Sequence, residues 1–353
     1  MPSLDLTASA VDLTAQLVDL ESVSGNETAI ADAVEQALRA YPHLEIIRDG
    51  DAVIARTSLG RERRVVIAGH LDTVPVNDNL PSRLDAGELW GRGTVDMKGG
   101  CAVMLVLAAS VSAPIVDVTW VWYDHEEVAS DLNGLGRIAR NRPDLLEADF
   151  AILGEPTNAE IEGGCNGTLR ADVRVTGKRA HSARAWMGSN AIHAVTPVLE
   201  QLVAYVPREA EVDGLVYREG MNAVFIRGGV AGNVIPDECV VEVNYRFAPD
   251  RDAAAAERHV RDLFAGFDVE VTDVAEGARP GLNDPIAQQF LAAVGGEARP
   301  KFGWTDVARF AALGIPAVNY GPGDPSLAHA DDERVPVEQI ERVERGLRAW
   351  LTS

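Results

Sequence analysis

Three short apolar runs, each of buried-strand type and each ending in ionisable residues, constrain this 353-residue chain more than any other feature. Arg64-Val65-Val66-Ile67-Ala68 feeds Gly69-His70-Leu71-Asp72-Thr73-Val74-Pro75. Val116 to Tyr123, rich in β-branched and aromatic residues, runs into Asp124-His125-Glu126-Glu127. Asp149 to Leu153 runs into Gly154-Glu155-Pro156-Thr157. Ionisable groups at the ends of buried strands are costly unless they are paired or hold a metal. The recurrence of strand followed by acid marks His70, Glu126, Glu127 and Glu155 as one set of candidate ligands and acid/base.

Two further segments supply groups of the same kind. Leu89 to Gly100 is a glycine-rich turn carrying Asp96, followed by an apolar stretch from Cys101 to Ser110 with the length and composition of a buried helix. Asp96 is either a helix cap or a carboxylate with both oxygens free to bridge two metals, and the residues alone leave both open. His329 stands in the polar loop Ser326 to Glu333, where a lone histidine is ordinarily solvated. Asp72 shares a face with His70 two residues away, which places it to orient the imidazole, although Asp-Thr before Val-Pro also suits a surface turn. Taken together, His70, Asp96, Glu126, Glu127, Glu155 and His329 suit a pair of zinc ions with an acid/base beside them.

The strings Gly69 to Pro75, Gly91 to Gly100, Glu126-Glu127, Gly154-Glu155-Pro156 and Ala328-His329 resemble the signature of the dinuclear zinc deacylases and exopeptidases. That family includes acetylornithine deacetylase, carboxypeptidase G, aminoacylase and succinyl-diaminopimelate desuccinylase. The resemblance covers nearly the whole chain with the motifs in order, and Gly303 to Phe310 is most similar to the desuccinylase branch. It implies His70, Asp96 and Glu155 on one zinc and Asp96, Glu127 and His329 on the other, with Co2+ a possible substitute. It also implies Glu126 as general base and acid, Asp72 as the orienting carboxylate, and a cis peptide after Asp96. Zinc accepts imidazole nitrogen and carboxylate oxygen and keeps a position open for water in catalytic sites.

The order of elements predicts an α/β catalytic domain with a mostly parallel sheet over residues 1–170 and 284–353. An inserted ferredoxin-like α+β lid is expected over 171–283. Within the insert, Leu169–Val175, Asn222–Ile226, Cys239–Phe247 and Asp268–Val274 read as strands, and 188–206 and 249–264 as helices, giving β-α-β-β-α-β. The segment Thr176 to Arg184 resembles the family's lid motif. The resemblance implies that His181 stabilises an oxyanion across a homodimer formed through the lid. On the residues alone, His181 is a strand-end histidine in a basic turn. Arg184, Asn233, Arg246, Thr305 and Arg309 are the expected substrate-binding residues, Arg309 as a bidentate carboxylate clamp or simply an exposed helical arginine.

One departure bears on the substrate. Desuccinylases of this family carry arginine and serine in the turn before the first lid strand, where this chain has Gly163-Gly164-Cys165-Asn166-Gly167-Thr168. Thr168 can replace the serine hydroxyl, but the arginine charge is absent, so either a succinyl carboxylate is recognised from elsewhere, with Arg184, Arg246 and Arg309 as candidates, or the substrate differs. The expected reaction is hydrolysis of N-succinyl-LL-2,6-diaminopimelate. Another N-acyl amino acid deacylase or a carboxypeptidase is the alternative, and a non-catalytic binding relative is disfavoured because no ligand position nor Glu126 is lost.

A formal charge of −22 argues against nucleic-acid binding, and the Gly91 and Gly93 turn lacks the lysine spacing of a phosphate-binding loop. The absence of a long apolar segment predicts no membrane span, and the N-terminal residues lack a signal-peptide pattern. Three well-separated cysteines, Cys101, Cys165 and Cys239, argue against a disulfide framework. A cytoplasmic location is expected.

Overall fold

The computed structural model describes residues 3–353, which divide into two compact units. The first unit comprises residues up to Gly163 together with Pro280–Arg299 and Arg309–Ser353. Its centre is a mixed sheet with strands in the order 45–49, 52–56, 117–123, 64–70, 150–153, 317–319, 162–163 and 299–300. The four strands 117–123, 64–70, 150–153 and 317–319 run parallel. Strands 45–49, 52–56 and 162–163 pair antiparallel at the two flanks. The strand Asp117–Tyr123 is buried at every position, as a strand covered on both faces must be. The fold class read from the sequence, α/β with a mostly parallel sheet, is the one observed.

The helix Gly99–Ser110 is buried from Gly99 to Ala109, so its apolar residues run all the way round rather than along one stripe. Its first turn depends on glycine. A Cβ on Gly100 would collide with the carbonyl of Gly154, so the missing side chain lets this helix close onto the strand end that carries Glu155. Among the described residues no helix is long and apolar enough to cross a membrane.

The second unit comprises Gly164–Arg279 and Pro300–Ala308. The sequence places the insert at 171–283. The compact unit starts earlier and ends earlier because Cys165 bridges to Ala278, so both chain crossings pair with each other inside it. Its antiparallel sheet has the order 220–228, 238–247, 167–176, 268–275. With helices after the first and third strands, this is the ferredoxin-like arrangement. One face is packed: Leu169, Ala171, Val173, Val241, Val243, Tyr245 and Phe247 join Val198, Val260 and Phe264 in a single core. The other face carries the alternate residues, among them Arg170, Asp172, Glu242, Asn244 and Arg246.

Three local readings differ from the structure. The helix expected over 188–206 is two helices, Ala191–Ala194 and Thr196–Ala204, because Pro197 occupies the first turn of the second and cannot continue the first. The helix expected from Pro249 starts at Ala253, where Asp252 caps it by accepting from Ala255 N at 2.6 Å. The hairpin of Glu209–Val212 and Leu215–Arg218 is not anticipated, although it turns on Asp213-Gly214 with φ of 49° and 87°. That dipeptide between alternating residues is a strong short-range hairpin signal.

Candidate metal centre

The parallel strands set the site by ending together. His70 is the last residue of strand Arg64–His70 and stands opposite Tyr123, so the chain that continues into Asp124 to Glu127 emerges beside it. Glu155 follows the adjacent strand Phe150–Leu153 and is 6% exposed. The crevice beyond the carboxyl ends of such strands is where α/β sheets bind ligands.

Asp96 does not cap the following helix, whose N-cap is Lys98. Its own backbone is non-helical, at φ −122° and ψ 94°, and the Asp96–Met97 peptide is cis. The carboxylate instead presents Oδ1 to His70 Nε2 at 3.1 Å and Oδ2 to His329 Nε2 at 3.3 Å. His329 Nε2 also lies 3.0 Å from Glu127 Oε1. One ligand atom from each of His70, Asp96 and Glu127 falls within 4.8 Å of the others. Glu155 is not one of that trio. Glu126 is half-buried next to Glu127.

The tautomers test whether these groups suit a metal. His70 Nδ1 lies 2.9 Å from the carbonyl oxygen of Asp72, which can only accept, so Nδ1 carries a proton. In the neutral ring Nε2 is then a bare lone pair facing Asp96 Oδ1. Lone pair against carboxylate is tolerable only if a proton or a cation sits between them. His329 Nε2 faces two carboxylates in the same way. Burial disfavours the His70 imidazolium, yet hydrogen bonds and charge from Asp72 and Asp96 raise its pKa well above the ordinary value. Hydrogen bonds that its imidazolium donates to Asp96 and Glu127 push His329 up to about 10. Burial raises the Asp96 pKa, but hydrogen bonds to His329 and His70 outweigh it and hold the carboxyl below its usual range. Imidazole nitrogens held 3.0 to 3.3 Å from carboxylate oxygens are positions where a divalent cation competes with the proton. The imidazole and carboxylate donor set fits zinc.

Asp72 links the two halves of the cluster. It is fully buried; Oδ1 accepts from Glu126 N and Oδ2 from Glu127 N, both at 3.0 Å, and Oδ2 accepts from Ser24 Oγ at 2.6 Å. Burial pushes its carboxyl up, but hydrogen bonding and charge at His70, then Ser24 and Glu126 N, bring it down to about 2. Asp72 thereby fixes the backbone of both glutamates through its carboxylate, whereas the His70 ring is held at 2.9 Å by its main-chain carbonyl, with the expected orienting carboxylate 3.5 Å from Nδ1. Behind it, Asp124 accepts twice from Arg137, at 2.7 and 2.9 Å, and anchors the base of the 124–127 loop.

Glu333 has no distinguishing mark in its acidic loop, and sequence reasoning misses it. It is 1% exposed; Oε1 accepts from Val95 N at 2.9 Å and Asp96 N at 3.1 Å, while Oε2 accepts from Arg92 Nη1 at 2.9 Å. It holds the turn that aims Asp96. Only a side chain 237 positions away in the chain does this, and no local pattern marks so distant a partner.

The other expected site residues fall as follows. Arg309 belongs to the first unit, where its Nη2 donates to Ser130 Oγ at 3.0 Å. His181, Arg184, Asn233, Arg246 and Thr305 belong to the second unit. His181 pairs with Val234, and its Nδ1 accepts from Ala183 N at 3.1 Å. The neutral His181 ring therefore carries its proton on Nε2. Arg184 lies in the exposed turn Ser182–Met187, and Asn233 O accepts from Ser182 N at 2.9 Å. Arg246 Nε donates to Asn244 Oδ1 at 3.1 Å. Thr305 is buried at 6% exposure.

Imidazoles and carboxylates brought together beside the strand ends of a mixed sheet make a candidate metal centre of the kind that metal-dependent hydrolases use. The comparisons agree with that class. The model of peptidase family M20/M25/M40 matches residues 66–353. The chain is 58% identical over 351 residues to a putative succinyl-diaminopimelate desuccinylase of Mycobacterium tuberculosis, covering 99% of each. It is 49% identical over 362 residues to succinyl-diaminopimelate desuccinylase of Corynebacterium glutamicum, covering 99% of this chain and 98% of that one. Its fold resembles a tripeptidase of Staphylococcus aureus with TM-score 0.78 at 21% identity, covering 99% and 98%. The chain belongs to peptidase family M20/M25/M40.

Proposed function

We propose that this hydrolase converts N-succinyl-LL-2,6-diaminopimelate to succinate and LL-2,6-diaminopimelate at a centre for two zinc ions. Full-length identity of 58% and 49% to two desuccinylases supports the substrate. The observation that carries the chemistry is Asp96, whose two oxygens face different imidazoles, as a carboxylate shared between two cations does. His70, Asp96 and Glu155 would hold one ion and Asp96, Glu127 and His329 the other. When bound, the pair supplies Lewis acidity toward the amide carbonyl and a water of lowered pKa.

The protein's own groups then have defined tasks. Glu126 takes the proton of the attacking water on its carboxylate and returns it to the departing amine nitrogen, so that one residue serves as base and then as acid. Asp72 keeps Glu126 and Glu127 in register by accepting from both backbone N–H groups. Across the homodimer that the family resemblance implies, His181 would offer Nε2–H to the carbonyl oxygen as negative charge grows there. Arg184, Asn233, Arg246, Thr305 and Arg309 are the polar groups assigned to the rest of the substrate.

The second unit would also form a homodimer. On helix Thr196–Ala204, the residue after its cap, and edge strand Gly220–Gly228 it exposes Val203 (89%), Val206 (83%), Phe225 (63%) and Ile226 (53%). Large apolar side chains gathered on one edge strand and helix mark an interaction surface. Phe225→Glu with Val203→Glu is expected to convert a dimer to a monomer in light scattering coupled to size exclusion; a wild-type monomer would remove this part of the reading. Three buried free thiols suit a reducing cytoplasm.

The substrate is tested by amide hydrolysis with zinc-loaded protein. N-succinyl-LL-diaminopimelate, N-acetylornithine and a peptide ending in glutamate are compared at equal concentration. Strong preference for the succinyl amide is expected. Equal or faster turnover of either competitor would leave the hydrolase chemistry and overturn the substrate.

A further inference from the structure

The open face of the second unit's sheet carries four arginines, and they differ in how their charge is met. Arg174 pairs with Glu238 at 2.7 Å, and Arg227 with Asp172 at 3.0 Å and Glu242 at 3.2 Å. Arg170 and Arg246 have no carboxylate within 4.0 Å among the described residues, although Asp273 lies opposite Arg170 next to a bulge in the edge strand. These two are neighbours. Asn244 is opposite Arg170 and Thr168 opposite Arg246, which makes the arginines a diagonal pair on one face, within reach of long side chains.

Their surroundings are arranged rather than loose. Asn244 Nδ2 donates to Thr168 Oγ1 at 3.2 Å and Asn244 Oδ1 accepts from Arg246 Nε at 3.1 Å. With its oxygen already accepting, the Thr168 hydroxyl keeps its own proton to donate. Burial, and then the like charge of Arg170, lower the Arg246 pKa. Two like charges held together without a counterion, beside a hydroxyl donor, form a receptor for an anion.

We propose that Arg170 and Arg246 together clamp a carboxylate of the substrate on this face, with Thr168 as a third donor. The assignment rests on the hydrolase reading above and adds Arg170 to it, supplying the positive charge that the turn Gly163 to Thr168 lacks. Arg170 stands on the first strand of the second unit, two residues beyond Thr168 and on the same face of the sheet. The substrate offers one carboxylate on its acyl arm and others on its amino-acid carbons; all share this chemistry.

The test compares kcat/KM of zinc-loaded wild type, Arg170→Ala and Arg170→Lys on three amides. N-succinyl-LL-diaminopimelate has both kinds of carboxylate, N-acetyl-LL-diaminopimelate lacks the acyl one, and N-succinylcadaverine lacks those on the amino-acid carbons. A 10- to 100-fold loss in Arg170→Ala is expected, confined to amides bearing the recognised carboxylate and partly restored in Arg170→Lys; the pattern tells which arm is read. Equal loss on all three amides, or none, would overturn the clamp. If the wild type turns over neither succinyl amide, the desuccinylase reading fails by itself. The clamp is then decided by calorimetry with succinate on the zinc-loaded protein: binding about tenfold weaker in Arg170→Ala supports it, and equal binding overturns it.

Discussion

Glu126→Gln is expected to keep both metals and to lose about 10²- to 10⁴-fold in kcat, the range that a positioned acid/base supplies. The substitution preserves size and leaves the Glu126 backbone N–H on Asp72 Oδ1 in place. It removes only the capacity to take and return a proton. KM should change little, because the amide is not held by this group in the ground state. Steady-state kinetics beside metal analysis separates the possibilities. A rate near wild type with two metals bound would take Glu126 out of the mechanism, whereas a rate that falls together with metal content would make it a structural group.

Asp96→Ala should strip the centre more completely than loss of any other ligand. Each oxygen faces a different imidazole, so on the proposed ligand set removal of this one side chain would take a ligand from both positions at once. It would also remove the negative charge between the two proposed cations. Zinc analysis after dialysis should give two ions per chain for wild type and none for the variant, with activity lost in proportion. Glu127→Ala, which removes a ligand from one position, should retain the other ion. A variant at Asp96 that keeps two zincs would contradict the shared-carboxylate assignment. The fold should persist, since Glu333 accepts from the Val95 and Asp96 backbone rather than from the Asp96 side chain.

The strand ends were legible because burial and charge conflict there. Runs such as Val65 to Ala68 and Val118 to Tyr123 must be inside, and His70 or Glu126 just beyond them must then find a partner, which the continuous apolar run and the charge at its end jointly announce. Asp96 was only half legible. A carboxylate before a helix reads as a cap, and its non-helical backbone appears only in three dimensions. Glu333 and Ser24 were not legible, since each acts through hydrogen bonds to residues far off in the chain. The βαββαβ order of the second unit came through because its strands alternate, with one face packed and one open. Its start did not, because the Cys165 to Ala278 pairing that draws the boundary is non-local. The Asp213-Gly214 hairpin has a local signal, a turn dipeptide between two short alternating runs, but its strands are only four residues each.

The most direct test of the central claim is anomalous diffraction at the zinc edge from crystals of the zinc-loaded protein. The account predicts two peaks per chain, both within coordination distance of Asp96, one shared with His70 and Glu155 and the other with Glu127 and His329. A single peak, or two peaks that do not have Asp96 in common, would contradict it.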